Sequence, residues 1–474
     1  MSTLDFTPAQ RKLVYSWLLF AIGAMAIAGT LAFLVAMART PGVRLLPSER
    51  AFHVALVGHV TFALTIWLLA FISTVWTYTA FQANLPLNLR ASWTGLFTSL
   101  AGAAIIAIPI FTFQGEDVMN DYVPLLDTPL FFFGFVTFLS GVGLTAANYL
   151  VAAFRRNGKP LPLTAYGMAC AAVPALVAIL ALAVAAVRLG IGANGRVLFD
   201  YYQGMFWGMG HSLQYVSVAT MVVVWYSVVG VFLGEPRLNQ KFTKGLFTLF
   251  ALFPLITPLP YFIYDPNTVV QHKAWGITLD SCLSLPVIFL GPMIVIWVWR
   301  TRSGKLSDWL KRMPWNEPRI TTFAFSATLF AFGLLIHPAV RQGTLRTPAH
   351  YHSVVVGGVT LAFMGLVYHM LTKVERPIAW PKVAMIQPYV FAVGLAGMVL
   401  GLLGAGDLGA PRKTYDAAVT GVAWLKPMML MGAGAGVVAL GGALFVAVVL
   451  WSLLRKTHLL KLSADQPAFA PAGD

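Results

Sequence analysis

"TPAHYHSVVVGGVTLAFMGLVYH", residues 347–369, sets two histidines, His350 and His352, at the head of a run that is otherwise mostly apolar. A hydrocarbon layer of about 30 Å needs about 20 such residues in a helix, so the run has the length of a membrane span. An imidazole is costly to insert there, which makes each of the two a functional candidate. Working outward, comparable apolar runs lie near residues 12–38, 51–79, 93–113, 128–154, 163–190, 199–233, 241–264, 274–299, 320–341, 349–373, 383–405 and 425–454. The pattern predicts an all-α polytopic membrane protein, a single membrane domain of twelve transmembrane helices, followed by a disordered tail at 463–474.

Composition excludes the soluble classes: 58% of the residues are hydrophobic and only 10% are charged. The net charge of +15 reads as loop charge facing a membrane rather than a nucleic-acid surface, so lipid is the expected surrounding. Cys170 and Cys282 sit in separate apolar runs, which argues against a disulfide framework or a thiolate metal site. The first run is long enough to span and does not read as a cleaved leader. The connections 114–127 and 300–319 are too short to fold alone. With the N-terminus inside, 21 of the 32 Lys and Arg residues fall on that side and 11 on the other. Both termini are therefore expected in the cytoplasm, with the chain in a prokaryotic-type inner membrane.

Depth makes the histidines informative. His59 is the ninth residue of the second span, His211 the thirteenth of the sixth, and His350 and His352 open the tenth. All three spans enter from the outside, so these side chains are expected in the outer half of the bilayer. Residues two apart on a helix point about 200° apart, so His350 and His352 do not readily share one ion. They suit two planar cofactors packed on opposite sides of one helix, as two haems would be, because haem iron accepts imidazole as an axial ligand. His53, His337 and His369 are read as ordinary satisfied polar groups.

With those residues in place, Gly58-His59, the stretch from Trp207 to His211, "PAHYH" at 348–352 and "GAPRKTYD" at 409–416 resemble the catalytic subunit I of the haem-copper oxidase and nitric oxide reductase superfamily. The resemblance covers essentially the whole chain. It implies that His59 and His352 ligate a low-spin haem and that His350 is the proximal ligand of a high-spin haem, both of b type. Arg412 and Lys413 resemble the basic pair that holds haem propionates, a task suited to charge-assisted bonds. His211 resembles a ligand of the second metal, which is copper in the oxidases and non-haem iron in the reductases. Gln214 is a further ligand candidate, and Tyr215, one helical turn from His211, a candidate source of a proton and an electron.

The chain also departs from that pattern. The seventh span carries Leu259-Pro260 where the superfamily has a His-His pair, and one imidazole holds a divalent ion weakly. Three accounts stay open: other ligands drawn from His211, Gln214, Tyr261, Tyr264 or Asp265; a contribution from His272 folding back from its outer connection; or loss of the second metal. Leu213 and the apolar stretch of the eighth span replace the proton-path residues of pumping oxidases, which leaves Asp280 as the acid expected to deliver protons from outside. The chain has no Cys-x-x-Cys-His and no cysteine cluster, so electrons are expected from a partner subunit with haem c or a cupredoxin domain. The expected activity is reduction of nitric oxide, with dioxygen reduction as the alternative. A non-catalytic haem subunit and a transporter are the competing readings.

Overall fold

The structure is a computed structural model that describes residues 6–43, 45–156, 158, 160–234, 239–264, 267–302, 304–340, 342–415 and 423–455. Within a bilayer each backbone N–H and C=O must find its partner in the protein, and a helix does this within one segment. Among the described residues twelve helices are long and apolar enough to cross: α1 (Pro8–Ala38), α2 (Glu49–Gln82), α3 (Leu89–Phe111), α4 (Pro129–Phe154), α5 (Leu163–Leu189), α6 (Leu198–Leu233), α7 (Gln240–Ile263), α8 (Val269–Trp299), α9 (Pro318–Ile336), α10 (Arg346–Lys373), α11 (Pro381–Asp407) and α12 (Leu425–Leu454). Large apolar side chains such as Phe154 and Leu335 face outward, as a lipid-facing surface requires. The expected tail at 463–474 and Asp265 lie outside the described residues.

Local chemistry sets several helix ends. Thr7 and Gln10 form a reciprocal capping box before α1. Proline opens α4, α9 and α11, where its missing N–H would have had no helical partner. The α9 helix stops at Ile336, short of the expected 341, because Pro338 follows and tightens residues His337–Ala339 into a 3-10 turn. The α8 helix starts earlier than expected, at Val269, capped by the Thr268 side chain on the Gln271 N–H. In α7 a run of prolines leaves a 3-10 turn at Phe253–Ile256 and a short turn of helix at Pro260–Ile263.

Among the described residues three stretches are π-helical: Thr61–Trp67 in α2, Thr278–Leu283 in α8 and His352–Thr360 in α10. A π-turn carries one extra residue and shifts the face that follows, and such turns occur most often at functional sites. The first begins two residues after His59, the third begins at His352, and the second contains Asp280.

The connection 114–127 is more ordered than its length implies. It forms a hairpin of β1 (Glu116–Val118) and β2 (Leu125–Asp127), with Asp117 opposite Leu126. Side chains from three other segments tie it down. Arg50 pairs with Asp117, and His53 Nδ1 lies 2.7 Å from the same carboxylate. Tyr202 OH donates to Asp127 at 2.7 Å, and Gln203 Nε2 donates to Asp121 at 2.7 Å. Arg412 also pairs with Asp121.

Candidate functional site

A cavity of about 760 Å³ opens between α1, α2, α10, α11 and α12, within the size range of cofactor pockets. His59 and His352 both border it. Its walls are otherwise mostly apolar, including Phe52, Met398 and Met431, while Arg39, Arg412 and Lys413 border it near the hairpin. An apolar slot with two imidazoles and a cationic end fits a flat, hydrophobic macrocycle with carboxylate arms.

The hydrogen bonds of the histidines divide them into two groups. His59 Nδ1 lies 3.2 Å from the Ala28 carbonyl, His352 Nδ1 2.7 Å from Pro348 O, His350 Nδ1 2.9 Å from Gly333 O and His211 Nδ1 2.8 Å from Trp207 O. A carbonyl only accepts, so Nδ1 carries the proton in all four and Nε2 keeps its lone pair for a metal. Backbone carbonyls that orient an imidazole in this way are the usual support of a ligating histidine. The others differ. His369 Nδ1 faces the Arg319 guanidinium at 3.5 Å and must accept, while His53 and His337 face carboxylates.

His350 does not border the large cavity. It turns to the end of α9, where the His337 ring packs against it at 4.8 Å between centroids, and His337 Nε2 lies 3.1 Å from Asp280 Oδ1. Sequence reasoning treated His337 and Asp280 separately; the structure joins them beside His350.

His211 sits within an aromatic cluster: Tyr122 at 5.1 Å, Trp207 at 5.3 Å and Trp275 at 6.2 Å between ring centroids. Gln214 Nε2 donates to Tyr122 OH at 2.8 Å. Tyr122 comes from the hairpin and was not among the expected site residues. His272 is not in an outer connection: it lies in the first turn of α8 and stacks on Trp207 at 4.4 Å. Its buried Nε2 has no protein partner. The indole stacked on it also packs against His211, so Trp207 touches both imidazoles. Tyr215 is fully buried and its hydroxyl donates to the Thr278 carbonyl in α8. Tyr261 spends its hydroxyl on the α6 backbone, donating to Gly204 O at 2.8 Å and accepting from the Gly208 N–H at 3.1 Å.

The sequence matches the family described as Cytochrome C and Quinol oxidase polypeptide I over residues 12–438. The chain belongs to that oxidase polypeptide I family. Within the wider set of relatives, an uncharacterized protein of Aquifex aeolicus is 27% identical, the alignment covering 74% of this chain and 83% of the relative. Cytochrome c oxidase subunit 1 of Thermus thermophilus is 22% identical over 90% of this chain and 80% of its own. A solved heme-copper terminal oxidase shares the fold, with a TM-score of 0.77 and 18% identity, covering 98% of this chain and 88% of that one. Members of this oxidase family are oxidoreductases that use haem, and this chain is a multi-pass membrane protein of the same architecture.

The cavity fits a haem, whereas the surroundings of His211 offer no comparable set of metal ligands among the described residues. Among the described residues no group of three His, Cys, Asp or Glu side chains could hold a metal ion. The segment of α7 from Pro254 to Pro260 offers Leu259 and Pro260 in place of an imidazole pair, and Tyr261 is engaged elsewhere. At the cavity itself, Arg412 and Lys413 supply the cationic end. Lys413 Nζ donates to Met119 O at 2.8 Å and to Asn120 O at 2.7 Å, and lies 3.7 Å from Asp121. Burial, with the Arg412 guanidinium beside it, holds the Lys413 ammonium down at about 7.

Proposed function

We propose that this chain is the two-haem core of a respiratory oxidoreductase that reduces nitric oxide, with dioxygen as the alternative substrate. The observation that carries this reading is the placement of three imidazoles. His59 and His352 border one cavity with Nε2 free, while His350, two residues from His352, is pinned by Gly333 O on another side of the same helix. A low-spin haem, of b type, would be held by His59 and His352, with Arg412 and Lys413 on its propionates. A high-spin haem, also of b type, would be held by His350. Haem supplies electron transfer where two imidazoles close its iron, and gas binding where one leaves a position open. In this arrangement Ala28 and Pro348 orient the first two imidazoles and Gly333 the third. Asp280, 3.1 Å from His337 Nε2, would deliver protons from the outer side. Electrons come from a partner subunit carrying haem c or a cupredoxin domain, since the chain has no motif for either centre. The Lys and Arg distribution supports cytoplasmic termini, with the hairpin on the outer side of the inner membrane.

The test is a pyridine haemochrome spectrum with elemental analysis of the purified protein. Two haems per chain and a carbon monoxide shift of one of them are the expected result. A colourless protein, or haem that binds no carbon monoxide, would overturn gas reduction. A second reading, a haem subunit without turnover, is favoured by the missing three-ligand metal set among the described residues. Two irons and no further metal would support it, whereas a third iron or a copper would speak for the enzyme.

Lys413 gives this reading a pH dependence. Without haem its proton is lost above about pH 7; a neighbouring propionate favours the charged form and raises that value. Haem binding then takes up a proton at pH above 7, so affinity should fall as pH rises, by at most about tenfold per unit, and level off below 7. Arginine stays charged throughout. Lys413→Arg should therefore flatten the dependence in haem titrations of the apoprotein between about pH 6 and 9.

A further inference from the structure

The connection from α8 to α9 carries a surface that the haem chemistry does not use. Trp299 ends one span and Pro318 opens the next, so the chain between them has to lie where the bilayer meets water. Gly304, at φ 74°, turns it back, and Leu306–Arg312 then form a short helix. Leu306, Trp309 and Leu310 stand three and four positions apart and share one face, while Lys305, Asp308 and Lys311 fall on the rest of the circumference.

Aromatic contacts fix how this helix sits. Trp309 meets Trp299 edge to face at 5.8 Å, and its indole N–H donates to Thr301 Oγ1 at 3.4 Å. Trp315 Nε1 donates to Leu310 O at 2.7 Å, and Tyr389 OH of α11 donates to Trp315 O at 2.8 Å. The helix is thereby held beside α8 and α11. Its leucines nevertheless stay open, Leu306 at 43% and Leu310 at 40% exposure. Apolar side chains left open at the end of a span meet acyl chains, and tryptophan is the residue that favours this level.

The charge is one-sided. Arg300, Arg302, Lys305, Lys311 and Arg312 stand against Asp308 alone between residues 300 and 316. The next acid, Glu317, is spent on Arg319. Arg302 lies over the Trp299 ring at 4.7 Å, and among the described residues no ion pair satisfies Arg300, Lys305 or Lys311. A phosphodiester accepts from guanidinium and ammonium groups alike, and a basic cluster next to a span attracts lipids of negative charge.

We propose that the helix Leu306–Arg312, with the two arginines that precede it, is a docking surface for anionic phospholipid. The helix lies in the plane of the interface, with Leu306, Trp309 and Leu310 among the acyl chains, while Arg300, Arg302, Lys305 and Lys311 take the headgroup phosphates. None of these residues borders the cavity of His59 and His352, so this surface and the haem site stand or fall separately.

The experiment uses the purified full-length protein in nanodiscs of phosphatidylcholine, alone or mixed equally with phosphatidylglycerol, and follows chymotrypsin cleavage between Trp309 and Leu310 by fragment mass. A helix drawn into the interface gives the protease less access, so cleavage should be about fivefold slower in the anionic discs, the scale of one cation beside a charged lipid surface. Concentrated sodium chloride should remove most of that difference. The variant Arg300→Gln/Arg302→Gln/Lys305→Gln/Lys311→Gln changes only exposed side chains and should be cleaved equally fast in both discs. Glutamine at Arg90, Arg155, Lys241 and Lys382, exposed cations near other connections, should leave the protection intact. Equal rates for the wild type in the two discs, absence of cleavage from both included, would overturn the inference. Loss of protection from the second set of substitutions would overturn it as well, by reducing the effect to overall charge. Inorganic phosphate added to phosphatidylcholine discs should not protect; protection there would assign the cations to a free anion and overturn the lipid surface.

Discussion

Replacing His352 by alanine is expected to remove the low-spin haem signal and leave the carbon-monoxide-binding haem in place; replacing His350 should do the reverse and take turnover to background. The prediction follows from where each imidazole is held. His352 borders the large cavity together with His59, so in the proposed reading loss of either would remove a ligand of the same iron. His350 lies against His337 and Gly333 instead, and its loss leaves that cavity intact. His59→Ala should therefore copy His352→Ala in the low-spin spectrum, a coincidence that independent structural histidines would not produce. Added imidazole supplies the missing ligand where only the side chain is gone, and it should restore the low-spin bands in both variants. Loss of both haem signals from His350→Ala and His352→Ala alike, with the fold retained, would contradict the separation of the two sites. His369→Ala serves as the contrast: its Nδ1 faces Arg319, so it should leave both spectra unchanged.

The twelve spans were legible because length and hydropathy are local properties of the chain, and the bilayer permits few alternatives to a helix. The histidines of α2, α6 and α10 stood out for the same reason, as polar groups at apolar depth. The hairpin was not legible. Its strands are three residues each, and its anchors come from Arg50, Tyr202, Gln203 and Lys413, up to 294 residues away. Two signals were nevertheless available. Thr268 with Gln271 three residues on reads as a helix start, which would have moved His272 from a connection into α8. A glycine directly before His211 in a run of bulky residues marks a close approach by something large, and that something is Tyr122. The hydroxyl partner of Tyr215 was not legible for a different reason. Its offset of four from His211 put both on one helical face, but the packing of α8 offered its hydroxyl the carbonyl of Thr278, the first residue of a π-turn that no sequence pattern announces.

Introducing leucine at Gly434 is expected to prevent assembly of the cavity, with loss of the low-spin haem from protein that still inserts in the membrane. The α11 and α12 helices are both walls of that cavity, contributing Met398 and Leu402 from one and Met431 and Ala435 from the other. They meet backbone to backbone. A Cβ at Gly434 would lie 2.2 Å from Met398 N, and one at Gly394 would lie 2.3 Å from Val438 N. Lipid chains are as apolar as the helix faces, so close packing through small residues, rather than hydrophobic burial, holds such a pair together. Overpacking a core ordinarily costs ~1–3 kcal/mol, but here the atoms in the way belong to main chain and have no rotamer to change. The helices must separate along their length, which moves Met398 and Met431 away from His59 and His352. Haem content per inserted chain, measured by haemochrome spectrum against a quantified membrane band, reads the effect directly. Alanine at the same position adds the offending Cβ alone and should show an intermediate loss. Gly245 in α7 carries the control, because a Cβ there meets nothing within 4 Å and the residue does not border the cavity, and Gly245→Ala should retain haem at the wild-type level. Equal haem in the Gly434→Leu and wild-type chains would mean that the α11–α12 contact does not shape the site.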